Sequence, residues 1–245
     1  MVQFSREPVV FEDLGNMDYQ AAWTLQEQLL QQNVLIKKDR SNSIAVEPSA
    51  TTHHLLFVEH PPVYTLGKSG HEENVLISEA ERIQRNIGYY KTNRGGDITF
   101  HGPGQLVGYP ILDLEKFYTD IGRYLRNIEQ VVIDTLAVYG ISGARSAGET
   151  GVWIDPDIKG RERKICAMGV RCSRWITMHG FALNVNTDLS YFGHIVPCGI
   201  ADKQVTSMAA ELGAQVDLEE VKLTVKKCFE QVFNTELITT VRQAL

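Results

Sequence analysis

Three stretches of the chain repeat apolar residues with the 3.6-residue period of an α-helix. Within residues 17–31 the apolar positions near one face are Tyr19, Ala22, Trp23, Leu29 and Leu30. The clearest period covers residues 120–139, and Gly140 is expected to end that helix. A last amphipathic helix is predicted from Asp217 onward. Residues 78–81 match a capping box and predict a short further helix.

Short apolar runs between turn residues predict the strands. We expect strands at residues 54–58, 63–67, 89–93, 151–155, 163–172 and 177–186, the last three joined as hairpins. The polar stretch 37–52 is expected to be a surface loop. Helices interspersed with hairpin-connected strands predict an α+β fold over residues 1–245, a single domain whose mixed, mostly antiparallel sheet is flanked by helices.

Composition narrows the class of protein. The net charge of 24 − 30 = −6 gives no support to general nucleic-acid binding. No apolar run approaches the roughly 18 residues that a membrane helix needs, and the N-terminus lacks the pattern of a secretory signal. Cysteines stand at 166, 172, 198 and 228 without the spacing of a disulfide framework. We therefore expect a soluble protein with reduced thiols in the cytoplasm.

Six basic residues are concentrated between positions 159 and 174. They are Lys159, Arg161, Arg163, Lys164, Arg171 and Arg174. In an acidic chain this cluster is a candidate docking patch for an acidic protein, and the alternative is a basic hairpin that simply faces solvent.

Residues 94–105, RGGDITFHGPGQ, combine four glycines and a proline with Ile98 and Phe100. The pattern predicts a short strand between two glycine-rich bends. Glycine lets the backbone approach a ligand closely and exposes its N–H groups as donors, and Arg94 and His101 add polar side chains. A glycine-rich hairpin with a β-bulge is an alternative interpretation of the same residues that requires no bound ligand.

Cys198 has surroundings that differ from those of the other cysteines. It lies between Pro197 and Gly199, outside any apolar period, whereas Cys228 falls on the apolar face of the last predicted helix. A reactive thiol needs a neighbouring cation or base to become a thiolate, and the sequence offers His101, His179, His194 and Lys164 without ranking them. Lys164 either lies at the surface or points into a pocket, and a core position is the simpler interpretation of His179.

Five segments, taken in order, closely resemble the bacterial-type lipoate-protein ligase B family, the octanoyl-[acyl-carrier-protein]:protein N-octanoyltransferases. They are residues 59–67 (EHPPVYTLG), 94–105 (RGGDITFHGPGQ), 164–171 (KICAMGVR), 179–185 (HGFALNV) and 197–200 (PCGI). The resemblance covers roughly residues 15–230 and implies the catalytic-domain fold of biotin and lipoate protein ligases. Cys166 and Cys172 depart from the small or aliphatic residues expected at those positions.

The resemblance implies a reaction and its residues. Cys198 is the expected nucleophile, which takes an octanoyl or lipoyl group from acyl carrier protein as a thioester. Lys164 is the expected catalytic lysine, which favours the thiolate and handles protons. The acceptor is a lysine of the lipoyl domains of 2-oxoacid dehydrogenase E2 subunits and of the glycine cleavage H protein. Transfer from thioester to amide is downhill, so no ATP, metal or other cofactor is expected beyond the phosphopantetheine arm that carries the octanoyl group.

The resemblance also implies which residues contact the substrate. They are Arg94, Gly95, Gly96, Asp97, Ile98, Thr99, Phe100, His101, Ala167, Met168, Gly169, Gly180, Phe181 and Ala182. Gly169 and Gly180 are expected to leave a slot for the eight-carbon chain, with Ile98, Phe100, Met168 and Phe181 as its apolar lining. Burial stabilises such a chain by about 0.8 kcal/mol per CH₂ group.

Two rival functions remain at this point. An ATP-dependent lipoate or biotin ligase of the same superfamily activates a free acid as an acyl-adenylate and needs no nucleophilic cysteine. A catalytically silent module that binds lipoyl domains or acyl carrier protein is expected to lose Cys198 or Lys164. The chain has both residues, which favours the transferase.

Overall fold

Twelve strands are present in the described part of the chain. The computed structural model describes residues 6–42, 50–196 and 203–239. In chain order the strands are β1 (Glu7–Asn16), β2 (His53–Glu59), β3 (Val63–Leu66), β4 (Gly88–Lys91), β5 (Ile98–His101), β6 (Gln105–Ile111), β7 (Ala144–Ser146), β8 (Glu149–Ile154), β9 (Arg163–Ser173), β10 (Ile176–Asn184), β11 (Gln204–Val205) and β12 (Thr235–Thr239).

A mixed sheet of nine strands forms the centre of the fold. Its order is β12-β1-β2-β6-β10-β9-β8-β7, and β11 pairs with β9 outside this path. The pairs from β2·β6 to β8·β7 are antiparallel, whereas β1 runs parallel to β2 and β12, and β11 parallel to β9. The prediction of a mixed, mostly antiparallel sheet is confirmed.

A second sheet of three strands, in the order β4-β3-β5, carries the start of the glycine-rich segment. Strand β5 runs antiparallel to β3 and leads through a tight turn into β6 of the large sheet. Because the turn at 102–104 joins the two sheets, the glycine-rich segment lies at their junction.

Helices cover both faces of the large sheet. The helices of the described residues are α1 (Tyr19–Asn42), α2 (Glu79–Gln84), α3 (Ile121–Val138), α4 (Met208–Leu212) and α5 (Leu218–Phe233). Of these, α2 lies beside the small sheet, where the Arg82 guanidinium is 5.7 Å from the centroid of the Tyr89 ring. Helices α3 and α5 pack in one apolar cluster with Leu55 and Phe57 of β2. Helix α1 packs in another with Leu56 and Val58, since successive side chains of a strand point to opposite faces.

Helix ends follow the sequence signals. The Ser78 hydroxyl accepts a hydrogen bond from the Glu81 backbone N–H, as the capping box predicts. Asp120 caps α3 in the same way, and Gly140 follows that helix with a φ of 74°, a conformation that glycine adopts without strain.

The predicted surface loop at 37–52 is wrong in its first part, because α1 continues to Asn42. Lys37 and Lys38 are good helix formers. Lys37 also has a specific contact. Its ammonium donates to Asp113 Oδ1 at 2.8 Å and to the Arg174 carbonyl at 2.9 Å. Residues 43–49 lie outside the described part of the chain.

Candidate active site

A cavity of about 480 Å³ lies where the glycine-rich segment meets β6, β9 and β10. This volume is within the range of about 300–1,000 Å³ that is typical of small-ligand sites. Its wall combines apolar side chains, such as Val107 and Phe181, with polar groups, such as Arg94 and His179. Gly148 in the turn between β7 and β8, the first two residues of β8 and Lys164 also belong to the wall.

Arg94 holds the glycine-rich segment in place. Its side chain is buried, and its guanidinium donates to the Thr65 carbonyl at 2.5 Å, the Thr65 hydroxyl at 3.0 Å and the Gly95 carbonyl at 3.0 Å. The Gly95 N–H donates to the Val170 carbonyl at 2.9 Å, which fixes the segment against β9. Charged hydrogen bonds of this kind are strong in a buried setting, so the segment is a rigid part of the cavity wall.

Gly169 and Gly180 permit close backbone contacts. A Cβ atom on Gly169 would lie 2.6 Å from the Gly95 carbonyl oxygen, and one on Gly180 would lie 2.1 Å from the Gly108 carbonyl oxygen. Both residues line the cavity, but the space that their missing side chains leave is filled by protein. The expectation that these two glycines leave an open slot is therefore wrong.

Three buried imidazoles lie at or near the polar side of the cavity: His101 and His179 line it, and the centroid of the His60 ring lies 5.8 Å from that of the His101 ring. Burial lowers the pKa of His60 to about 4 and that of His179 to about 3, and it holds the pKa of His101 well below the usual value. His60 contacts the Met17 carbonyl at 2.7 Å through Nδ1 and the Tyr109 hydroxyl at 2.8 Å through Nε2. All three rings are thus neutral at pH 7.

Hydrogen bonds define the tautomer of His179. The Asn93 amide donates to Glu27 Oε1 at 2.8 Å, so its oxygen accepts from His179 Nε2 at 2.8 Å. Nδ1 therefore carries a lone pair, and it has no hydrogen-bond partner within the described residues. The prediction that His179 is a core histidine fits its burial, but the residue also belongs to the cavity wall.

Lys164 is half-buried and lies at the cavity wall. It stands on β9 directly opposite Trp153 of β8. Its ammonium nitrogen is 4.5 Å from the centroid of the Trp153 ring. Of the two possibilities left open by the sequence, the structure thus supports the pocket position over a purely surface one.

The cysteines differ in what the structure reveals of them. Cys166 is buried, and burial raises the pKa of its thiol far above the usual range; burial also raises the pKa values of Cys172 and Cys228. These three thiols are free and are not activated. Cys198 lies outside the described residues, so its predicted role stays a prediction.

Comparison with known proteins identifies the family. The sequence model of the lipoyl protein ligase A/B catalytic domain matches residues 18–230. The chain belongs to this family. It is 54% identical to an octanoyltransferase of Flavobacterium johnsoniae, over 94% of this chain and 98% of that protein. It is 55% identical to an octanoyltransferase of Christiangramia forsetii, over 94% of this chain and 97% of that protein.

Solved structures of lipoate protein ligases have the same fold as this chain. The bipartite ligase of Thermoplasma acidophilum superposes with a TM-score of 0.66 at 15% identity, covering 97% of this chain and 88% of that one. A lipoate-protein ligase A bound with ATP gives a TM-score of 0.65 at 14% identity, with coverages of 97% and 90%. The predicted ligase-type catalytic fold is confirmed, and the likeness extends to the fold alone.

The residues matched to the family's substrate segments converge on one cavity, with one exception. The wall includes Arg94, Gly95, Gly96, Asp97, Ile98, Thr99, His101, Ala167, Met168, Gly169, Gly180, Phe181 and Ala182. Phe100 differs from the expectation: its ring stacks on Tyr191 at 4.5 Å and meets Phe192 edge-on at 5.6 Å. Phe100 lies instead within the apolar cluster of the small sheet, where these ring contacts hold it.

Several residues of the cavity wall were not predicted from the sequence. Tyr19, Tyr109 and Glu149 line the cavity although none of them was a binding candidate. Asn184 had a usable signal, a polar residue within an apolar strand, and its side chain joins Gln105 to the Thr206 carbonyl. Glu149 had no such signal in the sequence, because its position at the cavity wall depends on the turn between β7 and β8.

The basic residues at 159–174 do not form one patch. Arg163 pairs with Glu211 and Asp155 at 2.7 Å, and Arg171 pairs with Glu27 at 2.6 Å. The long strand β9 places residues 159–163 and residues 171–174 at opposite ends, about 30 Å apart at roughly 3.3 Å per residue. The structure favours solvent-facing or paired charges over a single docking patch.

Within residues 6–42, 50–196 and 203–239, no helix combines the length and the apolar character that a bilayer span requires. The same residues hold no group of three or more His, Cys, Asp or Glu side chains placed to bind a metal ion.

Proposed function

We propose that this protein is an octanoyltransferase, which moves an octanoyl group from acyl carrier protein to a lysine of a lipoyl domain. The observation that carries the proposal is the 54–55% identity to octanoyltransferases along almost their whole length. The cavity supports it, because a largely apolar wall beside Lys164 suits an acyl chain with its reacting end near an acid–base group.

The first half-reaction forms an acyl-enzyme. The Cys198 thiolate attacks the thioester carbonyl of the octanoyl carrier, and the bond from that carbon to the phosphopantetheine sulfur breaks. The ammonium of Lys164 gives its proton to the departing thiolate, so the carrier leaves with a free thiol. A cation near the Cys198 sulfur favours the thiolate before attack.

The second half-reaction forms the amide. The neutral amine of the acceptor lysine attacks the Cys198 thioester, and the carbon–sulfur bond to Cys198 breaks. The amine of Lys164 takes the proton that the new amide loses, which restores both the thiolate and the ammonium. Since the thioester is already an activated acyl group, the cycle balances without ATP and without a cofactor of the protein's own.

We also propose the protein partners of the reaction and the cellular compartment in which it occurs. The donor is acyl carrier protein with an octanoyl-phosphopantetheine arm, and the acceptors are the lipoyl domains of 2-oxoacid dehydrogenase E2 subunits and the glycine cleavage H protein. These partners act in the cytoplasm. Residues 94–99 and His101, together with strands β9 and β10, line the cavity that we propose for the acyl chain.

Transfer to a lipoyl domain tests this function. The purified protein is mixed with octanoyl-acyl carrier protein and an unmodified lipoyl domain without ATP, and the mass of the lipoyl domain is measured. We expect the gain of one octanoyl group, and none when the acceptor lysine is replaced by arginine. Modification that requires free octanoate and ATP would instead identify a ligase.

A further inference from the structure

Trp153 forms a platform beside the cavity. It is buried in β8, and the β8–β9 register places it directly across from Lys164. Side chains of such cross-strand pairs lie on the same face with their Cβ atoms about 5 Å apart. The Lys164 ammonium is 4.5 Å from the centroid of the Trp153 ring, within the distance at which a cation is attracted to an aromatic ring.

The same ring contacts a second cation. The Lys203 ammonium lies 4.8 Å from the ring centroid and donates to Glu149 Oε2 at 2.5 Å. That carboxylate also accepts from the Ser146 hydroxyl at 2.5 Å. Although burial opposes it, the hydrogen bonds from Lys203 and Ser146 and the charges of Lys203 and Lys164 lower the pKa of Glu149. Glu149 is therefore ionised at pH 7 and places a negative charge near both cations.

We infer that Trp153 is a positioning residue for the proposed transfer, holding the Lys164 ammonium at the cavity wall while the Glu149–Lys203 ion pair fixes the second cation on the same ring. The inference rests on the proposed function only in that Lys164 is taken as the acid–base group. The backbone supports the arrangement, because the Thr206 N–H donates to the Lys164 carbonyl at 2.9 Å and β11 pairs beside Lys164.

The ring, and not the indole N–H, carries this role. Trp153 Nε1 is buried and has no hydrogen-bond partner among the described residues, although buried tryptophans usually find one. Phenylalanine keeps an aromatic face and lacks only that N–H, whereas leucine removes the aromatic face. The pair Trp153→Phe and Trp153→Leu therefore separates positioning by the ring from simple filling of the core.

Phe11 offers a matched control within the chain. It is also a buried aromatic residue with a cation over its ring, since the Lys226 ammonium lies 3.9 Å from the ring centroid, and it does not line the cavity. Phe11→Leu is expected to lower the unfolding midpoint in urea as Trp153→Leu does, but to leave kcat unchanged.

Steady-state transfer from octanoyl-acyl carrier protein is the first readout. We expect Trp153→Leu to lower kcat about tenfold with KM within twofold of wild type, because the loss of the cation–ring contact makes the position of the Lys164 ammonium less fixed. Trp153→Phe should stay within about threefold of wild type. Equal losses in the two variants, or a wild-type kcat in Trp153→Leu, would overturn the inference.

Labelling of lysines is a second readout that needs no activity. The protein is treated briefly with acetic anhydride, and the labelling of Lys164 is compared with that of exposed Lys227 by peptide mass spectrometry. We expect Lys164 to react several-fold faster in Trp153→Leu than in wild type. An unchanged ratio would contradict the inference, whereas a wild-type protein that transfers no octanoyl group would contradict only the proposed function.

The role of the Glu149 carboxylate is tested in the same labelling experiment. Glu149→Gln removes the partner of Lys203, so we expect Lys203 to react faster with the reagent while Lys164 remains in contact with the ring. Unchanged reactivity of Lys203 would mean that the ion pair does not fix the second cation.

Discussion

Lys164 and Arg94 are both cationic residues of the cavity wall, but their surroundings assign them different tasks. Arg94 is buried, and its guanidinium donates to backbone carbonyls on two segments. Its charge therefore organises the wall. Lys164 is half-buried against a tryptophan ring, with an ammonium that stands at the edge of the cavity. A proton-transfer group needs this kind of access to the reacting atoms.

Replacement of Lys164 by alanine should therefore abolish most of the activity without unfolding the protein. We expect kcat for octanoyl transfer to fall about 10²–10⁴-fold, the usual contribution of an acid–base group. Lys164→Arg should remain slow, because arginine keeps the charge but does not release a proton near pH 7. Lys226→Ala, a change far from the cavity, serves as the control. Wild-type turnover by Lys164→Arg would contradict proton transfer by this residue.

At the scale of single residues, the segments that the family resemblance assigned to substrate contact come together at one cavity wall, and their role in binding stays a prediction. Residues 94–99 and 167–169 each belong to a continuous segment, so a motif that identifies the segment also identifies the residues within it. Phe100 was misplaced because its ring packs on Tyr191 and Phe192, two residues that lie far from it in the sequence. Trp153 and Glu149 were missed because their relation to Lys164 exists only after β8 pairs with β9.

Strand β9 is the element on which the site depends. Its first residues carry Lys164, its middle carries the Gly169 contact with the glycine-rich segment, and Val170 accepts the Gly95 hydrogen bond. One strand thus fixes the position of Lys164, the proposed acid–base group, relative to the wall proposed to bind the acyl chain. A shift of the segment against β9 would alter the cavity without breaking the large sheet.

Gly169→Ala tests this dependence. The new Cβ would lie 2.6 Å from the Gly95 carbonyl oxygen, so the segment must move away from β9. We expect kcat/KM to fall between about 10- and 100-fold, the effect of a displacement near 1 Å. The free energy of unfolding, from urea titration, should fall by only about 1–3 kcal/mol. Gly193→Ala, where the added Cβ meets no atom within 4 Å, should change neither value. Full activity of Gly169→Ala would show that the contact does not shape the site.

Helices with a strong apolar period were predictable from the sequence. Strands that are defined by pairing with residues far away in the chain were not. Helix α3 was expected at 120–139 and is observed at Ile121–Val138. Strands β1 and β12 were not expected, because they pair with each other in parallel across more than 200 residues of sequence. Their short runs have no local turn or hairpin partner that would mark them.

For the molecule as a whole, the buried histidines make stability depend on pH. Burial lowers the pKa values of His60, His101 and His179, so these rings stay neutral in the folded state while they gain protons in the unfolded state below about pH 6.5. The unfolded state then binds more protons, and the free energy of unfolding falls as the pH falls.

Urea titrations between pH 6 and pH 5 measure this effect. Each of the three histidines should contribute a slope of about 1.4 kcal/mol per pH unit, so together they approach about 4 kcal/mol per unit. His60→Gln should lower the slope by one such share, and His71→Gln, at an exposed site, should leave it unchanged. A slope that does not respond to His60→Gln would mean that this ring is already protonated in the folded protein.

The fold class was predictable from the whole chain because strands joined by hairpins and separated by helices limit the possible architectures. What the whole-chain pattern did not predict is the cavity itself, which forms where two sheets of different strand order meet. The proposed reaction needs Cys198 to act beside that cavity as a covalent acyl carrier.

Intact-protein mass spectrometry tests this claim most directly. The protein is mixed with octanoyl-acyl carrier protein without ATP or lipoyl domain, then treated with hydroxylamine. We predict a mass increase of one octanoyl group that hydroxylamine removes and that maps to Cys198; Cys172→Ser should retain it and Cys198→Ser should lose it. No adduct on the wild-type protein, with labelling of a lipoyl domain only from free octanoate and ATP, would contradict the thioester mechanism and identify a ligase.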